Sequence, residues 1–170
     1  MTTYCSLPLV ALVLCCLTSV AAPAQMKSGK NSITVESFTI HQEVDFTAGP
    51  DRIYKALLDS KDFSAFSAQA GEFSANSARI DATEGGAFTL FDGYITGRTL
   101  ELAANRRIVQ AWHDKDWPEG VYSIIKFELN PKGPGTHLVF DHTGFPPRSH
   151  DHLAAGWKSH YWEPLAKYLK

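Results

Sequence analysis

The chain has 170 residues and is 44% hydrophobic, with 16 Lys and Arg against 18 Asp and Glu, for a net charge of −2. Acids and bases are interspersed, so no basic stripe is available for nucleic acid or an anionic membrane surface. All three cysteines (Cys5, Cys15 and Cys16) lie in the first two dozen residues. If that stretch is removed, disulfides, Cys-ligated zinc and a thiol nucleophile are excluded together.

Residues 7–22 form an apolar run too short for a comfortable membrane span. It ends in Ala22-Pro23-Ala24, the small-x-small form that signal peptidases cut. The expectation is a secretory signal over residues 1–24, cleaved after Ala24 or at the competing Ala21. The protein is then exported to a periplasm or medium, with no membrane span remaining. An uncleaved leader acting as an anchor is the alternative. Residues 25–36 read as a linker and residues 37–170 as one domain. A domain of that size buries roughly 70% of its unfolded surface, enough to hold together without cross-links.

Residues 37–47, "SFTIHQEVDFT", alternate as a half-buried strand does, with Phe38, Ile40, Val44 and Phe46 on one face and His41 on the wet one. Pro50 suits the first turn of a helix whose stripe is Ile53, Ala56 and Leu57. Ser60 is placed to cap a second short helix carrying Phe63 and Phe66. From there to residue 143 the chain is a run of strands separated by turn signals. Gly85-Gly86 precedes "AFTLF", and Asp92-Gly93 predicts a two-residue hairpin into "YITGRTLEL". Asn105-Arg106 turns into "RIVQAWH", and Pro118-Glu119-Gly120 into "VYSIIKFEL". There Val121, Ser123, Ile125, Phe127 and Leu129 share a face. "NPKGPG" then leads into "THLVFDHT". Consecutive strands with short turns make an antiparallel meander.

The period then changes. Leu153, Trp157, Tyr161, Leu165 and Tyr168 recur at helical spacing, with Ser149 as the expected cap. Pro164 must cost this helix its bond to the His160 carbonyl and bend it. The order is strand, two short helices, meander and long helix. A curved antiparallel sheet needs its apolar face covered and the aromatic-bearing helix is what is available, so the fold class is α+β.

Several pieces recur together in one known family: Asp92-Gly93, Gly97, Trp112, the Trp117-Pro118-Glu119-Gly120 turn, Gly144 and Gly156-Trp157. Over residues 38–169 the chain resembles the C-terminal domain of the activator of heat-shock protein 90 ATPase. More broadly it resembles the START-related helix-grip (SRPBCC) superfamily. The resemblance implies a curved sheet wrapped around the long C-terminal helix, with a cavity between them that in many relatives holds an apolar molecule. It implies no common reaction, because carriers, co-chaperones and some enzymes share the fold.

Residues 141–162, "DHTGFPPRSHDHLAAGWKSHYW", contain four of the seven histidines. His152 and His160 are two helical turns apart, ~12 Å of rise. Ligands of one zinc ion must each lie near ~2.1 Å from it, so this pair does not chelate, and no H-E-x-x-H pattern is present. The expectation is solvated histidines around a helix start and no metal or cofactor. Asp114, Asp116 and Glu119 could work as an acid–base set only in a sheltered cleft, and at a hairpin tip they read as solvated. No phosphate loop or nucleophile elbow is present. The aromatic set, Phe88 or Phe91, Trp112, Phe127, Phe140, Trp157 and Tyr161, serves equally as core or as cavity wall, with Gln110 and His160 as polar handles. The resemblance favours a cavity for a small hydrophobic molecule held without catalysis. Two alternatives remain. One is a co-chaperone module that uses Trp117, Pro118, Glu119 and Gly120 to contact a heat-shock protein 90 ATPase. The other is a hydrolase or cyclase of the same superfamily, depending on His160 or Asp116. Trp117 either folds back onto the sheet or recognises a partner.

Overall fold

The computed structural model describes Met1, residues 39–71, Ser74 and residues 77–170. The leader, its cleavage site, the linker and Phe38 lie outside the described residues. The first strand, β1 (Thr39–Phe46), buries Ile40 and Phe46 and exposes His41. α1 (Pro50–Leu58) follows with Pro50 in its first turn, and buries Ile53, Ala56, Leu57 and Leu58. α2 (Ser60–Ser67) buries Phe63 and Phe66, but Ser60 is not its cap. Asp59 caps it instead, accepting from the backbone N–H groups of Lys61 and Asp62 at 2.9 and 3.0 Å. A carboxylate at a helix start gains from the helix dipole as well as the hydrogen bonds. That leaves the Ser60 hydroxyl to accept from Ile80 N–H at the far end of the sheet.

The sheet runs β2 (Arg79–Ile80), β3 (Ala87–Leu90), β4 (Ile95–Ala103), β5 (Arg107–Asp114), β6 (Ser123–Lys132) and β7 (Gly135–Thr143). β2, at two residues, is too short to leave an alternation in the sequence. The spatial order is β1-β7-β6-β5-β4-β3-β2, and every pairing is antiparallel. Ser123, Ile125, Phe127 and Leu129 face inward, as do Leu138, Phe140 and His142 on β7. The turn at Asp92-Gly93 is longer than expected. Leu90 pairs with Ile95, so four residues connect the strands, and Phe91, Asp92 and Gly93 all have positive φ (53°, 54° and 92°). Phe91 is buried, its ring 5.4 Å from both Phe63 and Tyr161. Filling that space accounts for a backbone conformation a bulky residue rarely takes.

Across the inner face lies a continuous helical run: α3 (His150–Gly156), a widened π turn (Trp157–Trp162) and α4 (Glu163–Tyr168). Ser149 precedes α3 but its side chain makes no capping bond. The π turn has a chemical cause. Pro164 has no N–H and its ring would collide with the carbonyl four residues back. The preceding Glu163 N–H bonds to Lys158 O, five residues back, and the widened turn accommodates the proline. Trp157, Tyr161 and Trp162 are all buried as a result. Trp162 was absent from the apolar stripe read at α-helical spacing.

Gln42 of β1 fixes the helix from the other side, accepting from Trp162 Nε1 at 2.5 Å and donating to Ala154 O at 3.0 Å. Gly97 of β4 sits in register with Phe88 and Trp112, and the Phe88 ring packs across it. A Cβ at Gly97 would stand 2.1 Å from the Ala111 carbonyl and 2.3 Å from the Phe88 ring. Gly97→Ala is therefore expected to destabilise the fold by about 3 kcal/mol, the upper end of overpacking costs, as measured by urea denaturation. A loss under about 1 kcal/mol would mean the strands accommodate a Cβ at this close approach.

Candidate functional site

Trp157 is 2% exposed and lies at the centre of the inner face. Its ring centroid is 4.2 Å from Phe140, 5.4 Å from Trp112 and 6.0 Å from Phe127. A buried indole must donate its N–H. Trp157 Nε1 gives it to His142 Nδ1 at 3.1 Å, and His142 Nε2 lies 2.7 Å from the Ser123 hydroxyl, which donates to Trp112 O at 3.2 Å. The direction of each bond fixes the next. Because Nδ1 accepts, the proton sits on Nε2, and because Ser123 then accepts, its own proton goes to the carbonyl. His142 is thus neither solvated nor beside the other histidines. It is wholly buried in the sheet, and burial pulls its pKa down to about 3. Its position on the inward face of a strand was the available signal, since Phe140 and Leu138 precede it at period two.

Beside this relay is an apolar cavity of about 70 Å³, lined by Phe91, Ile95, Trp112, Leu153, Trp157 and Tyr161 among others. Gly156 and His160 line it from the helix, and Asp114, Tyr94 and the exposed His152 complete it. Its walls come from β4, β5, the Phe91 turn and the helix. Of the side chains expected to shape a cavity, Trp112, Trp157, His160 and Tyr161 are brought together here. Phe127 and Phe140 lie behind Trp157 as core. Phe88 packs across Gly97, and Gln110 points inward on β5 between Ile108 and Trp112, outside this lining. At about 70 Å³ the space is smaller than the roughly 300 Å³ where ordinary small-molecule pockets begin. It admits a group of a few heavy atoms.

Among the described residues neither Trp112 Nε1 nor the Tyr161 hydroxyl, both in the lining, completes a hydrogen bond. The two residues are each 4% exposed. Burial drives the Tyr161 phenol well above its ordinary pKa, and the neighbouring Trp112 indole offsets this only partly. Asp114 also departs from expectation. Although it ends β5 at a hairpin tip, it is 4% exposed, and burial raises its carboxyl above the usual range against the stabilising Asp116 N–H. Only Asp116 and Glu119 of the acidic set stay in solvent. Asp116 accepts the Tyr94 hydroxyl at 2.6 Å. Trp117 folds back, 8% exposed and edge-on to Trp112 at 6.2 Å, leaving Pro118, Glu119 and Gly120 exposed. Among the described residues no three His, Cys, Asp or Glu side chains converge as a metal site requires.

The relay has a consequence for stability. Folded His142 resists protonation down to about pH 3, whereas an unfolded histidine takes a proton near pH ~6.5. The unfolded state therefore binds more protons across that window, and this residue's contribution to stability falls as pH falls. Between pH 6.5 and 5 the protein is expected to lose about 1–2 kcal/mol more than a His142→Gln variant, at most ~1.4 kcal/mol per pH unit. Urea denaturation of both proteins at the two pH values checks it. Equal slopes would show that His142 does not remain neutral.

The family model described as "Activator of Hsp90 ATPase homolog 1-like protein" matches residues 47–170. The mouse activator of 90 kDa heat shock protein ATPase homolog 2 is 31% identical over 99 residues, 58% of this chain and 30% of that protein. The human homolog 1 is 25% identical over 144 residues, 85% of this chain and 40% of that one. The chain thus spans less than half the length of these relatives. Among solved structures, an HSP90 activator from Plasmodium falciparum superposes with a TM-score of 0.69 at 23% identity, covering 78% of this chain and 96% of that one. CalU16 from Micromonospora echinospora superposes at 0.65 and 21% identity, covering 79% and 77%. Both likenesses show the same helix-grip fold. With a matched segment running from the end of β1 to the last residue, the chain belongs to the family of activator of Hsp90 ATPase homolog 1-like proteins.

Proposed function

We propose that this chain is a non-catalytic binding protein that takes a small, largely hydrophobic molecule, or one end of a longer one, between β4, β5 and the C-terminal helix. The observation carrying this reading is Gly156. A glycine in mid-helix costs about 0.5–1 kcal/mol relative to alanine, and close packing would account for it. Yet a Cβ at Gly156 would meet nothing nearer than His160 Cδ2 at 3.8 Å. The glycine borders the cavity, and its missing side chain keeps that space open. No residue of the lining is given a catalytic role in this reading, and no cofactor is required. Gly156→Ala is expected to stabilise the protein by about 0.5–1 kcal/mol while weakening ligand binding.

Native mass spectrometry of protein from an exporting host tests this together with the expected leader. A polypeptide beginning at Gln25, carrying a bound mass that denaturation releases and Gly156→Ala depletes, is the expected result. An unchanged bound mass in Gly156→Ala would place the ligand elsewhere.

A second reading rests on family membership: the chain contacts a 90 kDa heat-shock protein and raises its ATPase activity. Burial of Trp117 removes the aromatic anchor from the turn first considered for that contact, which leaves Pro118, Glu119 and Gly120 at the surface. The test is ATP turnover by the purified chaperone with and without the chain. Stimulation that Gly156→Ala leaves intact, with no ligand mass detected, would put this reading first.

A further inference from the structure

Trp112 and Tyr161 narrow the kind of molecule the cavity takes. Their side chains stand next to each other in its lining, the indole N–H near enough to the phenol oxygen to favour the phenolate, yet neither Trp112 Nε1 nor the Tyr161 hydroxyl completes a hydrogen bond among the described residues. The indole N–H can only donate, and the phenol O–H donates most readily. The other two buried indoles of the helix are matched, Trp157 to His142 and Trp162 to Gln42. Leaving a buried donor unmatched costs about as much as a lost hydrogen bond, so two in one small space define a place for an acceptor. The cavity lining contains no Lys or Arg, and Asp114 is part of it. An anionic oxygen would be desolvated there beside a carboxyl group without a permanent counter-charge, which disfavours a carboxylate ligand.

We infer that the site recognises a neutral carbonyl oxygen, held by the Trp112 indole N–H and the Tyr161 hydroxyl, with the apolar body of the molecule against Phe91, Leu153 and Trp157. This rests on the cavity reading above and sharpens it from shape to chemistry. A carbonyl oxygen has two lone pairs and accepts both bonds without needing a donor of its own. A hydrocarbon of the same shape would leave both donors unmatched. A site built to hydrogen-bond a substrate atom discriminates strongly against the analogue that lacks it.

Four probes of five heavy atoms each separate the possibilities: butanone, its isostere 2-methylbut-1-ene, butan-2-ol and propanoate. Each is titrated into the full chain while the tryptophan indole N–H and Leu153 methyl signals are followed by NMR. The expected result is that butanone moves the Trp112 indole signal and binds at least about tenfold more tightly than 2-methylbut-1-ene, the value of roughly one hydrogen bond. Tyr161→Phe is expected to reduce that preference severalfold while 2-methylbut-1-ene still shifts Leu153. If 2-methylbut-1-ene, butan-2-ol or the carboxylate shifts the cavity signals as strongly as the ketone, the carbonyl assignment falls and the cavity remains a binding site. If none of the four moves Leu153, Trp112 or Trp157, both the assignment and the cavity reading are overturned.

Discussion

The buried hydrogen bond from Trp157 Nε1 to His142 Nδ1, 3.1 Å long, joins the C-terminal helix to the sheet where the aromatic contacts are densest. Backbone carbonyls in the middle of a sheet are already engaged with neighbouring strands, so a tryptophan packed there needs an acceptor on a side chain. A neutral histidine is a fitting choice, since its second nitrogen carries a proton that must then be passed on. Ser123 takes that bond and spends its own proton on the Trp112 carbonyl. Three buried polar side chains are matched in this way without an ion. Charging His142 would place an imidazolium among Trp112, Phe140, Phe145 and Trp157, all within 6.2 Å of its ring. The lowered pKa follows from that enclosure. The relay ends at the backbone of Trp112, while the indole of the same residue lies in the cavity lining beside the Tyr161 hydroxyl, completing no hydrogen bond among the described residues.

Pro164 exerts its effect through geometry. In a regular helix over residues 150–168, Trp157 and Trp162 would point about 140° apart, and one of them would drift toward the surface. By forcing the i−5 bond, the proline widens the turn and both rings stay inward. Tyr161 then meets Phe63, Phe91 and Trp157, while Trp162 reaches Phe127 and Phe140 and donates to Gln42. The helix therefore contacts β1 through Trp162 and the turn between β3 and β4 through Tyr161.

Much of this architecture could be read from the sequence because it depends on period and punctuation. The alternation of β5, β6 and β7, the glycine and proline turns between them and the helical spacing from Leu153 to Leu165 each specify a local structure. Together they leave few ways to cover one sheet face. The misreadings share a physical cause, in that each needed knowledge of what lay across from a residue. His142 looked like one of four histidines near a helix start, although strand parity already assigned it to the core. Asp114 looked like a loop carboxylate, yet at the end of β5 it is 4% exposed. Asp59 and Ser60 are both plausible caps, and the choice depends on Ile80, twenty residues on, needing an acceptor. The four-residue turn after β3 was read as two because Asp-Gly is so strong a hairpin signal, whereas space beside Tyr161 draws Phe91 inward. Of the cavity, Trp112, Trp157, His160 and Tyr161 could be found by type and spacing, but the positions of Phe127 and Phe140 behind Trp157 depend on the sheet's curvature.

Several departures from ordinary local rules cluster around the same small space. Phe91 holds a positive φ, Gly156 sits in mid-helix with open room at its Cβ, Asp114 is buried at a strand end, and two indole and phenol donors lack acceptors. Each costs on the order of 1 kcal/mol or more, and only the Phe91 backbone is offset by packing, against Phe63 and Tyr161. Thr99 Oγ1, buried at the bulge in β4, is a similar departure elsewhere. In the rest of the sheet the rules hold closely. Outward charges pair across strands, as Lys126 does with Asp141 and Arg107 with Glu101, and inward residues interdigitate. A fold that is locally consistent over most of its length tolerates concentrated inconsistency where another requirement competes with stability. Here the costs converge on one cavity of about 70 Å³ between the helix and the sheet. That convergence is the observation on which the proposed ligand site rests.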